Sequence, residues 1–328
     1  MNKIKFYLAF LLFFFVKSSL SYGSEDNFDK WLQSYKVYAL SEGISQETIN
    51  IVFKNVKFLD QVIKYDRKQP EFFEDTETYV KKRANLSRVK NATKLLKNNE
   101  KIFTYIENEF QVEKEILLAL WGIETNFGKH VGKMDIISSL ATLSFDKRRS
   151  KFFSEQLLIL LTLVEDKLID VKDLYGSWAG AYGNFQFMPS TIKNYAIDYD
   201  GNNKIELKES LHDSLASAAN YISKIGWVKG QPCFYRVNIT NDIKDKYINT
   251  SAKKIKNKLN TSKWIKKGIV SYNNLEIKSN LKSALVLPDG DRDSPAFLVF
   301  NNYEKLLKWN RSLRFAISVC TLASMIKS

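Results

Sequence analysis

Little in this chain can hold a metal by nitrogen or sulfur. Its 328 residues include two cysteines, Cys233 and Cys320, and two histidines, His130 and His212. Zinc sites need such ligands in close spacing, and neither cysteine has a metal or nucleophile context. Two cysteines make no disulfide framework. Cys320, within the apolar run 316–326, reads as a buried free thiol, although an oxidising compartment permits a pair with Cys233. Acid is also scarce: 36 Asp and Glu against 50 Lys and Arg leave a formal charge of +14. A balance this basic suits nucleic acid or an acidic polymer such as a cell-wall glycan, and charge alone does not choose.

The N-terminus narrows the choice. Lys3 and Lys5 precede a nearly unbroken apolar run, Leu8 to Val16, which is short for a membrane span. Small and polar residues follow, so residues 1–23 read as an export signal cleaved after Gly23. Its three lysines leave with it, and 14 − 3 gives +11 for the mature chain. Export sets nucleic acid aside. No cysteine lies near the cleavage point, so no lipid anchor is expected. The expectation is a monomeric periplasmic protein with no stable membrane anchor.

Beyond the signal, residues 28–108 carry helical patterning with polar breaks. Gly43 interrupts one helix before Ser45 starts another, and 46–58 is amphipathic. Residues 65–72 are expected to be a non-helical connector, because Pro70 disfavours helix at Gln69. Helices are expected over 76–98, 100–109, 135–143 and 151–165. The pattern changes at Gly226: residues 233–239, 275–277, 284–287 and 296–300 read as short strands. The tail from Tyr303 to Met325 returns to helix.

Two stretches carry chemistry. In Trp121-Gly122-Ile123-Glu124-Thr125, Ile116, Leu120, Ile123 and Phe127 recur at helical spacing and would face a core. Glu124 sits on the neighbouring seam with Leu117 and Trp121. With Gly128 as the expected C-cap, this carboxylate falls in the last helical turn, among apolar groups and at the negative end of the dipole. Both favour a protonated carboxyl, which glycosidic cleavage requires. The second stretch, 198–209, places oxygen side chains at positions one, three, five, nine and twelve: Asp198, Asp200, Asn202, Glu206 and Glu209. Lys204 at seven can offer its carbonyl, and Ile205 fills the apolar eighth place. That is EF-hand spacing for calcium, with Asn203 where glycine is usual. A single loop points to a structural ion, and no cofactor is expected for catalysis.

With these residues in view the chain resembles the lytic murein transglycosylase B family. The resemblance runs from roughly Asp66 to Asn310. Its anchors are 66–72, 119–128, 140–149, the glycine-bearing stretch 176–190, the loop at Asp198, and 213–227. It implies an α+β, mainly α fold: a lysozyme-like helical core with an N-terminal helical domain, the EF-hand-like loop and a small antiparallel β subdomain. The implied boundaries are 24–112, 113–227 and 228–300, with a returning helix over 301–328. It also implies that Glu124 is a single catalytic acid and base, and that Ser177, Gln186, Tyr221 and Asn310 line a sugar groove in peptidoglycan glycan strands. The implied reaction cuts the β-1,4 bond between N-acetylmuramic acid and N-acetylglucosamine by closing a 1,6-anhydro ring. Two departures stand out. Trp309 replaces a usual tyrosine, which leaves that polar contact open while ring stacking can survive. Tyr182 replaces a usual methionine and would narrow the groove. The family analogy names Asp213 as the acid completing the cation loop, whereas plain EF-hand spacing names Glu209; both remain candidates. Arg148 and Arg149 either meet the muramyl lactate or peptide carboxylates or simply flank a helix. Trp121 and Trp178 are sugar-stacking candidates, with core packing the alternative.

Overall fold

The computed structural model describes residues 22–69, 73–240, 242–272, 277 and 280–328. The expected export signal falls outside them, save for the backbone of Tyr22 and Gly23.

Helices come first: α1 (Tyr22–Ser41), α2 (Gln46–Val52), α3 (Asp60–Arg67), α4 (Thr76–Arg83), α5 (Leu86–Asn98), α6 (Glu100–Phe110) and α7 (Lys114–Thr125). A two-residue strand β1 (Met134–Asp135) leads into α8 (Ile136–Phe145) and α9 (Ser150–Glu165), and β2 (Tyr175–Gly176) pairs back on β1. Then come α10 (Pro189–Tyr195) and α11 (Leu211–Lys224). The sheet region holds β3 (Phe234–Asn238), β4 (Ile248–Asn249), β5 (Leu259–Asn260), α12 (Thr261–Ile265), β6 (Val270–Ser271), β7 (Lys282–Val286) and β8 (Ala296–Val299). The chain closes with α13 (Asn301–Trp309) and α14 (Leu313–Lys327).

Local chemistry explains most of these boundaries. Gly43, at φ +92°, ends the first helical segment, and the Ser45 hydroxyl caps α2 by accepting from the Thr48 N–H. Pro189 occupies the first turn of α10, where its missing N–H costs nothing. The expected connector at 65–72 is helical as far as Arg67, because a proline restrains only the residue before it; Pro70 to Phe72 lie outside the described residues. The helix expected over 76–98 is two helices, since the Asn85 side chain accepts from the Arg88 N–H and restarts the chain as α5. The tail likewise breaks at Asn310, and Ser312 caps α14 through the Phe315 N–H. Ile277, expected in a strand, lies outside every strand, and Leu275 and Glu276 fall outside the described residues.

The core gathers around α7 and α8. Every residue from Ile136 to Ser144 is buried, so α8 is enclosed on all sides. One apolar cluster joins Phe28 and Val62 from the N-terminal helices to Leu120, Leu140, Leu160, Ala219 and Val319. The sheet, ordered β4-β7-β8-β3-β6 with β5 on β7, is antiparallel except for the short parallel pair β4–β7. Its side chains alternate. Ala284, Val286, Phe297 and Val299 join the main core, while Leu285, Leu287, Ala296 and Leu298 form a second cluster around fully buried Trp264. The β region is thus cemented to the helices by one face and filled by its other.

Cys320 is not a free thiol. Cys233, just before β3, and Cys320 on α14 form a disulfide with Cα atoms 6.2 Å apart. Cys233 leads into β3 beside α14, an adjacency that neither sequence neighbourhood encodes. Closing 87 residues of chain in this way is worth roughly 4–5 kcal/mol in the loop-entropy account.

Candidate active site

Glu124 occupies the last turn of α7, as its spacing predicts, but the cap lies earlier than Gly128. Asn126, Phe127 and Gly128 all have positive φ, and Asn126 is the C-cap. The N–H groups of Asn126 and Phe127 return to the carbonyls of Gly122 and Trp121, at 3.1 and 3.2 Å. Gly122 has a reason to be glycine: a Cβ there would stand 2.8 Å from the Phe127 ring that folds back over it. Thr125 fastens this corner. Its hydroxyl accepts from the Gly128 N–H and donates to the Asn184 carbonyl, at 3.0 and 2.8 Å.

The Glu124 carboxylate, half-buried, accepts a hydrogen bond from the Trp309 indole N–H at 2.9 Å. That ring stacks on Tyr221, centroids 5.0 Å apart, and Tyr221 stacks on Tyr195 at 4.4 Å. The Tyr221 hydroxyl donates to the Lys308 carbonyl at 3.0 Å, and burial pushes its pKa up to about 12. Tyr221 therefore backs Trp309. At the tyrosine-to-tryptophan departure this chain thus offers an indole N–H to Glu124 and a ring stacked on Tyr221.

The stretch 176–190 reaches this site because its glycines permit backbone crossings. A Cβ on Gly176 would lie 2.1 Å from the Ala181 carbonyl oxygen. Ser177 Oγ accepts from the N–H groups of Ala179 and Ala181, at 3.3 and 3.0 Å, which leaves its own proton as a donor. Gln186 adopts φ +52°; its amide N–H₂ donates to the carbonyls of Gly183 and Val131, leaving its oxygen to accept. Asn310 ends α13 and, with Trp309, Ala179, Met188 and Arg149, lines a cleft of about 1050 Å³. Tyr182 does not narrow the groove. It is buried at 5% exposure, under Lys208, and burial first and then Glu209 and neighbouring acids raise its pKa. Trp121 is a core residue, with its indole N–H on Asn184 Oδ1 at 3.2 Å. Trp178 is half-buried, its ring 6.5 Å from that of Tyr65.

Arg148 and Arg149 converge on Asp66, which is 2% exposed. Arg148 Nε donates to its carboxylate at 2.6 Å and Nη2 to its carbonyl at 2.8 Å, while Arg149 bonds the same carboxylate and lies over the Phe153 ring. Burial would raise the Asp66 pKa, but the two guanidinium groups outweigh it and hold the carboxyl below its ordinary range.

Carboxylate oxygens of Asp198 and Asp200, in the loop after α10, and of Asp213, in the first turn of α11, lie within 4.8 Å of one another. Asp213 is fully buried and accepts from the N–H groups of Tyr199 and Glu206, each at 2.9 Å. Asn203 takes φ +65°, so asparagine fills the left-handed position in place of glycine. The Asn202 side chain accepts from the Lys204 N–H. Glu209 stands outside this cluster, toward Tyr182. Three converging carboxylates are hard oxygen donors and fit a calcium ion. Asn184, which no sequence pattern singled out, ties the loop to α7. Its amide donates to the Lys208 carbonyl and Ser214 Oγ and accepts from Trp121.

A model of the transglycosylase SLT domain matches residues 27–324. The chain belongs to this family. Among solved structures it is similar to SltB3 of Pseudomonas aeruginosa in complex with NAG-NAM-pentapeptide, at 32% identity and TM-score 0.82, covering 92% of this chain and 80% of that one. It is also similar to the Escherichia coli lytic transglycosylase Slt35 in complex with calcium, at 26% identity and TM-score 0.75, covering 94% of each. A curated relative, membrane-bound lytic murein transglycosylase B of Escherichia coli K12, is 40% identical over 144 residues, which are 42% of this chain and 40% of that protein. The α+β, mainly helical fold implied by the resemblance is the one observed. No helix among the described residues is long and apolar enough to cross a membrane.

Proposed function

We propose that this protein is a lytic transglycosylase of cell-wall peptidoglycan. The observation that carries the reading is Glu124, held by Trp309 at the end of a buried helix in a member of this family. Protonated Glu124 donates to the leaving oxygen of the bond between N-acetylmuramic acid and N-acetylglucosamine. Its carboxylate then takes the proton from the muramic 6-hydroxyl, whose oxygen closes on the anomeric carbon to give the 1,6-anhydro product. One carboxyl serves in turn as acid and base, so no second nucleophile is needed. Ser177 as donor, Gln186 as acceptor and Asn310 hold the sugar, and Tyr221 keeps the Trp309 ring in place. The relatives' NAG-NAM ligand supports the substrate class. The protein works in the periplasm after cleavage of residues 1–23. It holds one structural calcium ion on Asp198, Asp200 and Asp213, with Asn202 and the Lys204 carbonyl completing the shell; Glu209 is the rival to Asp213.

Mass spectrometry of products from peptidoglycan sacculi, run beside Glu124→Gln, tests the reading. Anhydromuropeptides from the unaltered protein alone are expected. Reducing-end products would instead identify a hydrolase, and anhydro products from the Gln variant would remove Glu124 from the chemistry.

A further inference from the structure

The segment that leaves α10 is gripped along its length by α11. Asp213 accepts from the Tyr199 N–H at 2.9 Å, and Ser217 Oγ accepts from the Ile197 N–H at 3.0 Å. Asn220 Nδ2 donates to the Tyr195 carbonyl at 2.7 Å. Positions 213, 217 and 220 share one face of a helix, and they meet every second residue of the departing segment. All three α11 side chains are buried. This ladder runs from the loop at Asp198 back to Tyr195, the last residue of α10.

Asn220 and Tyr221 then hold Tyr195 by its two parts. Asn220 fixes the backbone, and the Tyr221 ring lies 4.4 Å from the Tyr195 ring at an interplanar angle of 24°. Trp309 stacks on Tyr221 in turn, so Tyr195 and Trp309 cover opposite faces of one phenol ring. Phe187 and Phe185 meet the indole at steep angles, with centroids 5.4 and 6.3 Å away, and both are buried. Close-packed phenylalanines leave the indole little room on their side. Its freedom is therefore set by Tyr221, and that of Tyr221 by Tyr195.

We propose that Tyr195 is a positioning residue for Glu124. By closing the outer face of Tyr221 it holds the Trp309 indole N–H on the carboxylate, although it touches neither Glu124 nor the sugar. The proposal rests on the transglycosylase reading above for its effect on rate, and on the aromatic stack for its effect on Trp309.

The test uses the full chain and reads both effects. In a nitrogen–proton correlation spectrum, the Trp309 indole is one of six and is identified by its loss in Trp309→Phe. Its signal should move in Tyr195→Leu and stay in place in Tyr195→Phe, which keeps the ring. In steady-state release of anhydromuropeptide, Tyr195→Leu should lower kcat about two- to ten-fold with KM unchanged, the scale of one aromatic pair. Tyr195→Phe should turn over as the unaltered protein does. Placed in Trp309→Phe, Tyr195→Leu should add no further loss, because residues that act through one contact are not additive. Asn220→Ala, which frees the Tyr195 backbone, is a milder variant and should move the same indole signal. An unmoved signal, or a loss that multiplies with that of Trp309→Phe, overturns the proposal. So does a rise in KM at constant kcat, or a fall in Tm with kcat unchanged. If the unaltered protein forms no anhydro product while the indole signal moves as stated, the transglycosylase reading falls and the hold of Tyr195 on Trp309 stands.

Discussion

Trp309 donates its indole N–H to Glu124 across 185 residues of sequence, while its ring lies 5.0 Å from that of Tyr221 at an interplanar angle of 22°. One side chain therefore both fixes the carboxylate and closes an aromatic stack. An indole is a donor only, so it orients one carboxylate oxygen and leaves the proton chemistry to Glu124 itself.

Trp309→Phe keeps the ring and removes the donor. A hydrogen bond to an ionisable group is worth about 1.5–3 kcal/mol, so kcat should fall roughly ten- to hundred-fold while KM changes little. Steady-state release of anhydromuropeptide measures both. A rise in KM at constant kcat would assign Trp309 to substrate binding instead.

Asp66 links α3 to the start of α9 through Arg148 and Arg149. Its pKa is depressed, so this stabilisation is present above the unfolded value of about 4 and is lost as pH falls through the lower folded value. Thermal melts between pH 7 and 2.5 should show a loss of stability below about pH 4. Asp66→Asn should lower stability at neutral pH by about 1–3 kcal/mol, since it removes the charge that the two part-exposed guanidinium groups share, and flatten that acid limb. An unchanged acid limb would mean that other carboxylates carry it.

For the loop at Asp198, calcium at a hundred times its Kd should raise stability by about 2.7 kcal/mol. Glu209→Gln should retain that shift in Tm. Asp213→Asn should lose it, because the ion loses a buried ligand. The reverse result would restore plain EF-hand spacing as the guide to the ligands.

Asn184 satisfies groups on three segments at once. Asn184→Ala leaves the Trp121 indole, the Lys208 carbonyl and Ser214 with fewer partners in a buried place. It should cost about 2–4 kcal/mol, read as a fall in the denaturation midpoint. Asn184→Asp keeps the acceptor for Trp121 but offers no donor to Lys208, so an intermediate cost is expected.

What the sequence by itself determined is whatever is local. Helical spacing and a chain reversal put Glu124 in the final turn of α7, twelve-residue spacing brought Asp198 and Asp200 together, and strand alternation set which side of the sheet Leu285 and Val286 face. Such patterns need only the neighbouring residues, because helix pitch, pleat and turn chemistry are short-range. Tertiary structure decided the rest. It set Trp309 on Glu124, joined Cys233 to Cys320, drew Arg148 and Arg149 onto Asp66, and brought Asp213 rather than Glu209 to the other loop carboxylates. Each pairing depends on how α7, α13, α14 and the sheet pack together. Packing is settled by the shape and burial of the whole core, and no single segment carries that information.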